Sequence, residues 1–268
     1  RAPWSRLVVE KTPLFLLAAA SAAATLWAQG KAGAIASTTA VPVGARLANA
    51  VAGYVRYLSL FLWPVDLALP YPLREDISRG EVAAVCALLG ALGVLVFRLR
   101  RRRPSLAIGC LWFAVMLVPV IGIVQVGNQA VADRYTYLPL IGVGVAIAWG
   151  AADPAARPRR LGVALVAGLS LALATLTAMT SAQVEVWRDE EALYGHALRM
   201  TDGNDLAHNN LGVVLEARGR RDEAEWHYRQ ALRINGRRPL QNTNLGVLLA
   251  TRGETAEAER LLRVALEN

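Results

Sequence analysis

Over its first two thirds the chain alternates long apolar runs with short polar connections, and near residue 185 the pattern changes period. Five stretches carry no charged residue: 12–30, 82–97, 105–124, 135–152 and 161–184. Each is long enough, or nearly so, to cross a hydrocarbon core, which takes ~20 helical residues. Trp27, Trp112, Trp149 and Tyr135 fall near the ends of these runs, where amphipathic rings favour the headgroup layer. Residues 46–63 predict a different kind of helix. Arg46, Asn49, Gly53, Arg56 and Tyr57 share an arc of ~100° on a helical wheel, and Leu47, Val51, Val55, Leu58 and Leu62 occupy the other side. Such a helix suits a membrane interface, or a seat against other helices facing a polar cavity, and Pro64 ends it.

After residue 184 a self-similarity of 34 residues appears. Leu211–Gly212 recur as Leu245–Gly246, Gly219 as Gly253, Ala224 as Ala258, and Ala231–Leu232 as Ala265–Leu266. This is the tetratricopeptide period, in which small residues let paired helices approach and large ones fill the gaps. Tyr194, Ala197 and Leu198 match Tyr228, Ala231 and Leu232, so residues 187–200 read as the second half of an earlier unit. The expected fold is therefore all-α. A polytopic helical membrane domain over 1–184, with about five spans plus one interfacial or re-entrant helix, precedes a tetratricopeptide α-solenoid over 185–268. The solenoid comprises a half repeat (187–200) and repeats at 205–238 and 239–268. Stacked repeats need about three units and a polar cap, so the array is expected to continue further or to dock on the membrane part. Arg1 is no initiator residue, and the chain is expected to be the C-terminal piece of a longer protein.

Composition sharpens this picture. The chain of 268 residues is 54% apolar, and its net charge of +8 is unevenly placed. Residues 1–184 hold 17 basic against 7 acidic side chains; residues 185–268 hold 12 against 14. The basic residues sit at the ends of apolar runs and do not form a groove with interleaved aromatics, so no nucleic-acid partner is expected. Cytoplasmic loops retain Lys and Arg, which assigns "RLRRRR" (98–103) and "RPRR" (157–160) to the cytoplasmic side. Residues 125–134 and everything after 184 then lie outside. Arg1, Arg6 and Lys11 against Lys31 and Arg46 favour a non-crossing 46–63 helix, with the crossing alternative open. Cys86 and Cys110 lie inside apolar runs with no disulfide framework or zinc spacing, and no metal site is expected. His196, His208 and His227 read as surface or inter-helix residues of the repeats.

With that topology the polar groups of the membrane part converge on the outer side. Arg46, Arg56, Tyr57, Asp66, Tyr71, Arg74, Glu75, Asp76 and Arg79 lie on or after the 46–63 helix, and Asp133, Arg134, Tyr135 and Tyr137 lie in one short connection. Two readings compete. Arg134 pairs with Asp133 or a neighbouring acid and pins the loop, or Arg56 and Arg134 form a fork for a phosphate or pyrophosphate, whose oxygens guanidinium matches bidentately. On the second reading Tyr57, Tyr135 and Tyr137 hydrogen-bond the same headgroup or the sugar beyond it, and the ligand is a lipid-linked phosphate. No Gly-rich phosphate loop or Ser/His/Asp arrangement is present.

"EKTPLFLLAA" (10–19), "YVRYLSLFLWPVDLALPYP" (54–72), "LWFAVMLVPVIGIVQVGNQAVADRYTYLPLIG" (111–142) and "VWRDEEALYGHAL" leading into "NNLG" resemble the C-terminal half of polytopic C-type glycosyltransferases (GT-C) with appended tetratricopeptide repeats. Among these the chain is most similar to transmembrane and tetratricopeptide-repeat O-mannosyltransferases and their bacterial counterparts. The resemblance implies transfer of a sugar from a polyprenyl-phosphate carrier, the donor substrate, onto an acceptor outside the membrane, with Arg56 and Arg134 stabilising the leaving phosphate. No cofactor is implied. The partners are membrane lipid, the lipid-linked sugar, and a protein or peptide acceptor bound by the repeats. The protein would be integral to a membrane, a bacterial inner membrane in this reading, with its repeats on the periplasmic side. In that superfamily the acid that activates the acceptor lies in the first outer loop, and this sequence has no matching segment, so the catalytic residues stay unassigned. The alternative function is a non-catalytic, membrane-anchored repeat scaffold.

Overall fold

The computed structural model describes residues 4–31, 41–74, 77–124, 129–151 and 159–267, and it is helical throughout these apart from turns and one isolated bridge. Glu75, Asp76 and the 125–128 stretch of the polar connection lie outside the described residues, as do residues 157–158 of the predicted 157–160 basic cluster. Helix α1 covers Trp4–Lys31, α2 Val43–Leu62, α3 Arg79–Leu99, α4 Pro104–Leu117, α5 Tyr137–Ala151 and α6 Arg159–Val186. Among the described residues, three segments are long and apolar enough to cross a membrane: Val8–Lys31, Arg79–Leu99 and Gly162–Val186. Their apolar side chains face outward, as helices bathed in lipid require.

The two remaining apolar runs are built differently from the expectation. The 105–124 run is helical only through Leu117, because Pro119 supplies no N–H to continue the ladder and Gly122 turns the chain at φ 93°. Asp133–Thr136 forms a 3-10 turn, and α5 starts after it at Tyr137. At about 1.5 Å per residue, α4 and α5 each span roughly 21–23 Å. They lie antiparallel and unusually close: a Cβ on Gly109 would stand 2.3 Å from the Gly142 carbonyl oxygen, and one on Gly142 2.5 Å from that of Gly109. Small residues permit such approach between helices in lipid. Trp112, read from sequence as an end residue, lies within α4 and donates its indole N–H to Leu138 O at 2.8 Å.

Helix α2 is turned inside out relative to a surface helix of a water-soluble protein. Its polar stripe is buried, with Arg46 8%, Asn49 6% and Tyr57 0% exposed, and its apolar Leu47 and Leu62 face outward. This is the predicted seat against other elements. Tyr54 donates to Ala114 O of α4 at 2.8 Å, and Gly53 packs against Ile121 and Val131. Asn49 fixes the chain beyond the helix by donating to Arg74 O (2.7 Å) and accepting from Arg74 N (3.2 Å). Helix α3 begins with a serine N-cap, in which Ser78 Oγ accepts from Glu81 N at 3.1 Å, and Arg74 grips the Glu81 carboxylate with two hydrogen bonds.

Beyond α6, helices α7 (Glu190–Met200), α8 (Asp205–Ala217), α9 (Arg221–Ile234), α10 (Pro239–Thr251) and α11 (Thr255–Glu267) follow. α8 pairs with α9, α10 with α11, and α7 packs on α8. Gly219 and Gly253 take φ of 78° and 83° at equivalent turns, the left-handed conformation that glycine reaches without strain. The array docks on the membrane part. His196 meets Leu67 O at 3.1 Å, Asn204 donates to Pro70 O at 2.9 Å, and Ala197 and Ala207 share a buried cluster with Tyr57, Tyr71, Leu117 and Ile121. Between α8 and α9, the His208 and His227 Nδ1 atoms lie 3.0 Å apart. Burial and the neighbouring His208 push His227 down to about 4, and burial lowers His208 as well.

Candidate functional site

Three pieces of backbone build the candidate site: the end of α2, the loop 63–74, and residues 129–136. The loop is tied to the third piece by Ala130 N donating to Tyr71 O at 3.1 Å and a bridge between Pro72 and Gln129. Tyr57 ties α2 to the same piece. Its hydroxyl accepts from Ala132 N at 3.1 Å and lies 3.4 Å from Ala132 O. Of the predicted ligand-binding residues, Tyr57 is therefore placed beneath the site: its ring is fully buried and its hydroxyl is engaged by backbone.

Above Tyr57 the structure brings Arg56, Tyr71 and Asp133 together. The Tyr71 hydroxyl donates to Asp133 Oδ1 at 3.1 Å, and the Arg56 guanidinium lies over the Tyr71 ring, 5.5 Å from its centroid, within cation–π range. Burial pushes the Asp133 carboxyl above its ordinary range, while the Tyr71 hydrogen bond and the Arg56 charge pull it back. Burial, and then the Asp133 charge, push the Tyr71 hydroxyl well up, so it stays a donor. Arg56 makes one long hydrogen bond, 3.4 Å to Asp66 O. Asp66 holds a positive φ of 56° that aims this carbonyl, a conformation Asp tolerates better than most residues.

Arg134 is exposed and lies over the Tyr135 ring at 5.3 Å. Among the described residues it forms no ion pair with Asp133 or any other acid, so pairing does not account for its position. Tyr135 is half-buried and its hydroxyl lies 3.4 Å from Gln129 Nε2. Tyr137 projects outward from the first turn of α5, 77% exposed. Of the six predicted residues, five are thus at least partly exposed; Arg56 and Asp133 both meet Tyr71, and Arg134 meets Tyr135. Tyr71 joins them, and sequence reasoning counted it only among the outer polar residues. Its signal was the aromatic in "ALPYP", but only the pairing of this loop with 129–132 shows that its hydroxyl reaches Asp133.

Chemically, these residues offer two guanidinium groups with most of their donors unused among the described residues, a carboxylate that accepts a hydrogen bond, and phenols. No group of three His, Cys, Asp or Glu side chains suited to a metal ion occurs among the described residues.

Comparison with known proteins gives two kinds of match. Residues 208–237 and 243–267 match the tetratricopeptide repeat family. The chain is also similar to protein O-mannosyl-transferases of animals. It is 31% identical to Tmtc2 of Drosophila melanogaster over 114 residues, covering 42% of this chain and 12% of that protein. It is 29% identical to TMTC1 of Homo sapiens over 182 residues, 63% of this chain and 20% of that protein. It is 30% identical to TMTC4 of Homo sapiens over 164 residues, 59% and 22%. The chain spans about a fifth of the length of these relatives, or less. It therefore carries tetratricopeptide repeats on a membrane-associated helical part similar to that of protein O-mannosyl-transferases.

Proposed function

We propose that this chain is the part of a membrane glycosyltransferase that receives the phosphate of a polyprenyl-phosphate-linked sugar, with the repeats presenting a protein or peptide acceptor. The observation that carries the reading is the pair of arginines over Tyr71 and Tyr135. A guanidinium lying on an aromatic face keeps its edge donors for a ligand, and both stand where an apolar helix bundle gives way to polar loops. The similarity to protein O-mannosyl-transferases supports the same chemistry and makes mannose the sugar to try first. Charge on the leaving phosphate grows as the sugar departs, and Arg56 and Arg134 oppose it electrostatically, which is worth most where water is scarce. Asp133 accepts a hydrogen bond from the sugar or its acceptor, held in place by Tyr71. The GT-C class, an outer-face site, periplasmic repeats and a bacterial inner membrane belong to this same reading.

Binding separates this from an anchored scaffold that transfers no sugar. In the full-length protein, Arg56→Gln and Arg134→Gln should each weaken polyprenyl-phosphate binding by about 10- to 100-fold, the equivalent of a lost charge-assisted hydrogen bond. Unchanged affinity in both variants would remove the phosphate site and favour the scaffold.

A further inference from the structure

A second site lies at the opposite end of the α4–α5 pair. Between the start of α4 and the end of α5 is an open cavity of about 690 Å³, lined by Arg102, Arg103, Ser105, Ile108, Val145 and Trp149. This volume lies within the range of small-ligand sites, ~300–1,000 Å³. Twelve residues of α5 separate Tyr137 from Trp149, roughly 18 Å of helix, so the cavity is distinct from the Arg56–Tyr71–Asp133 edge. Its lining is graded. Two guanidinium groups and a hydroxyl supply its polar part, and Ile108, Val145 and Trp149 supply an apolar trough beside them.

The chain makes this gradient for local reasons. Pro104 starts α4 directly after four consecutive arginines, so Arg102 and Arg103 stand immediately before the first turn while Ile108 is already one turn into the apolar helix. The close Gly109–Gly142 crossing holds α4 and α5 together one turn deeper, and Val145 and Trp149 then complete the wall on α5. Among the described residues neither Arg102 nor Arg103 has an acidic partner. Arg100, by contrast, is engaged within its own turn, donating to Phe97 O at 2.7 Å and lying over the Phe97 ring.

We infer that this cavity binds one anionic glycerophospholipid, with its phosphodiester on Arg102, Arg103 and Ser105 and an acyl chain along Ile108 and Val145 against Trp149. A soluble anion would use the rim and leave the trough unfilled. A neutral lipid would fill the trough and leave two cations uncompensated at the edge of hydrocarbon, a costly arrangement. Only a ligand carrying both parts uses the whole lining, and basic pockets between membrane helices favour anionic headgroups on this principle.

The test uses the full-length chain in neutral bilayers, with Trp149 emission obtained as the difference between the parent and Trp149→Phe. Phosphatidylglycerol with brominated acyl chains is compared with brominated phosphatidylcholine as quencher. The expected result is about tenfold stronger quenching, per mole of lipid, by the anionic lipid. That preference should be lost in Arg102→Gln/Arg103→Gln and kept in Arg98→Gln/Arg101→Gln, which removes the same charge from the same end. Equal quenching by the two lipids would overturn the inference. So would loss of the preference in both double variants, which would show diffuse attraction, or competition by millimolar inorganic phosphate, which would show a soluble-anion site.

Discussion

Asp133 and Tyr57 stand within one small patch and carry opposite duties, which makes them separable by experiment. Burial raises the Asp133 carboxyl in the folded protein, so its ionised form is less favourable there than in the unfolded chain. By linkage, its contribution to stability is present below the unfolded value of about 3.9 and is lost as pH rises through the raised folded value. Asp133→Asn should therefore raise the melting temperature at pH 7 and leave it unchanged below about pH 4, measured by thermal unfolding across that range. Tyr57 behaves differently, because its hydroxyl answers the buried Ala132 N–H. Tyr57→Phe leaves that donor without a partner and should cost about 1–3 kcal/mol in unfolding free energy; an unchanged stability would return Tyr57 to the ligand side. The sequence placed both residues in one polar group, and helical periodicity grouped Tyr57 with Arg56. It could not show which way each hydroxyl points, since that depends on the chain 75 residues further on.

At the scale of helices, the repeats were legible because each conserved-looking spacing is a packing requirement within the same chain. Gly212 and Gly246 are equivalent positions 34 residues apart, yet they meet different neighbours. A Cβ on Gly212 would lie 2.6 Å from the Tyr228 ring, and one on Gly246 3.0 Å from Leu262. A rigid ring fixed by its hydroxyl on Glu216 yields less than a leucine that can change rotamer. Gly212→Ala should cost about 1–3 kcal/mol, and Gly246→Ala distinctly less, as read by chemical denaturation; equal costs would show that the ring moves freely. The ion pairs repeat too, Arg218–Glu191 and Arg252–Glu225 each bridging successive units, the first more exposed and so adding less stability. The membrane helices were less legible. Apolar length alone treated 105–124 and 135–152 as simple spans, whereas Pro119, Gly122 and the Asp133–Thr136 turn shorten both helices. A run without charge reports solvent preference and says little about where the helix within it stops.

Across the whole molecule, the repeats and the candidate site are one construction. Loop 63–74 carries Tyr71 toward Asp133 on one side and meets the repeats on the other through Leu67, Ala68 and Pro70. Asn204 secures that contact from a buried position, bonding Pro70 O, Thr201 Oγ1 and Ala207 N at once. An acceptor lying on the first repeat helices would thus be held in a fixed relation to the site rather than tethered loosely near it. Docking on the membrane part was one of two expectations drawn from the short array, and no pattern within either segment encodes it, because its partners are backbone carbonyls. On the proposed function, Arg56 and Arg134 serve a phosphate-linked sugar donor. The most direct measurement is transfer of mannose from polyprenyl-phosphate mannose to acceptor protein by the full-length protein in membranes, comparing the parent with Arg134→Ala, whose exposed side chain makes no hydrogen bond or ion pair with a described residue. The expected result is a loss of rate of about 100-fold or more, with the melting temperature unchanged. Transfer at the parental rate by a normally folded Arg134→Ala protein would contradict it.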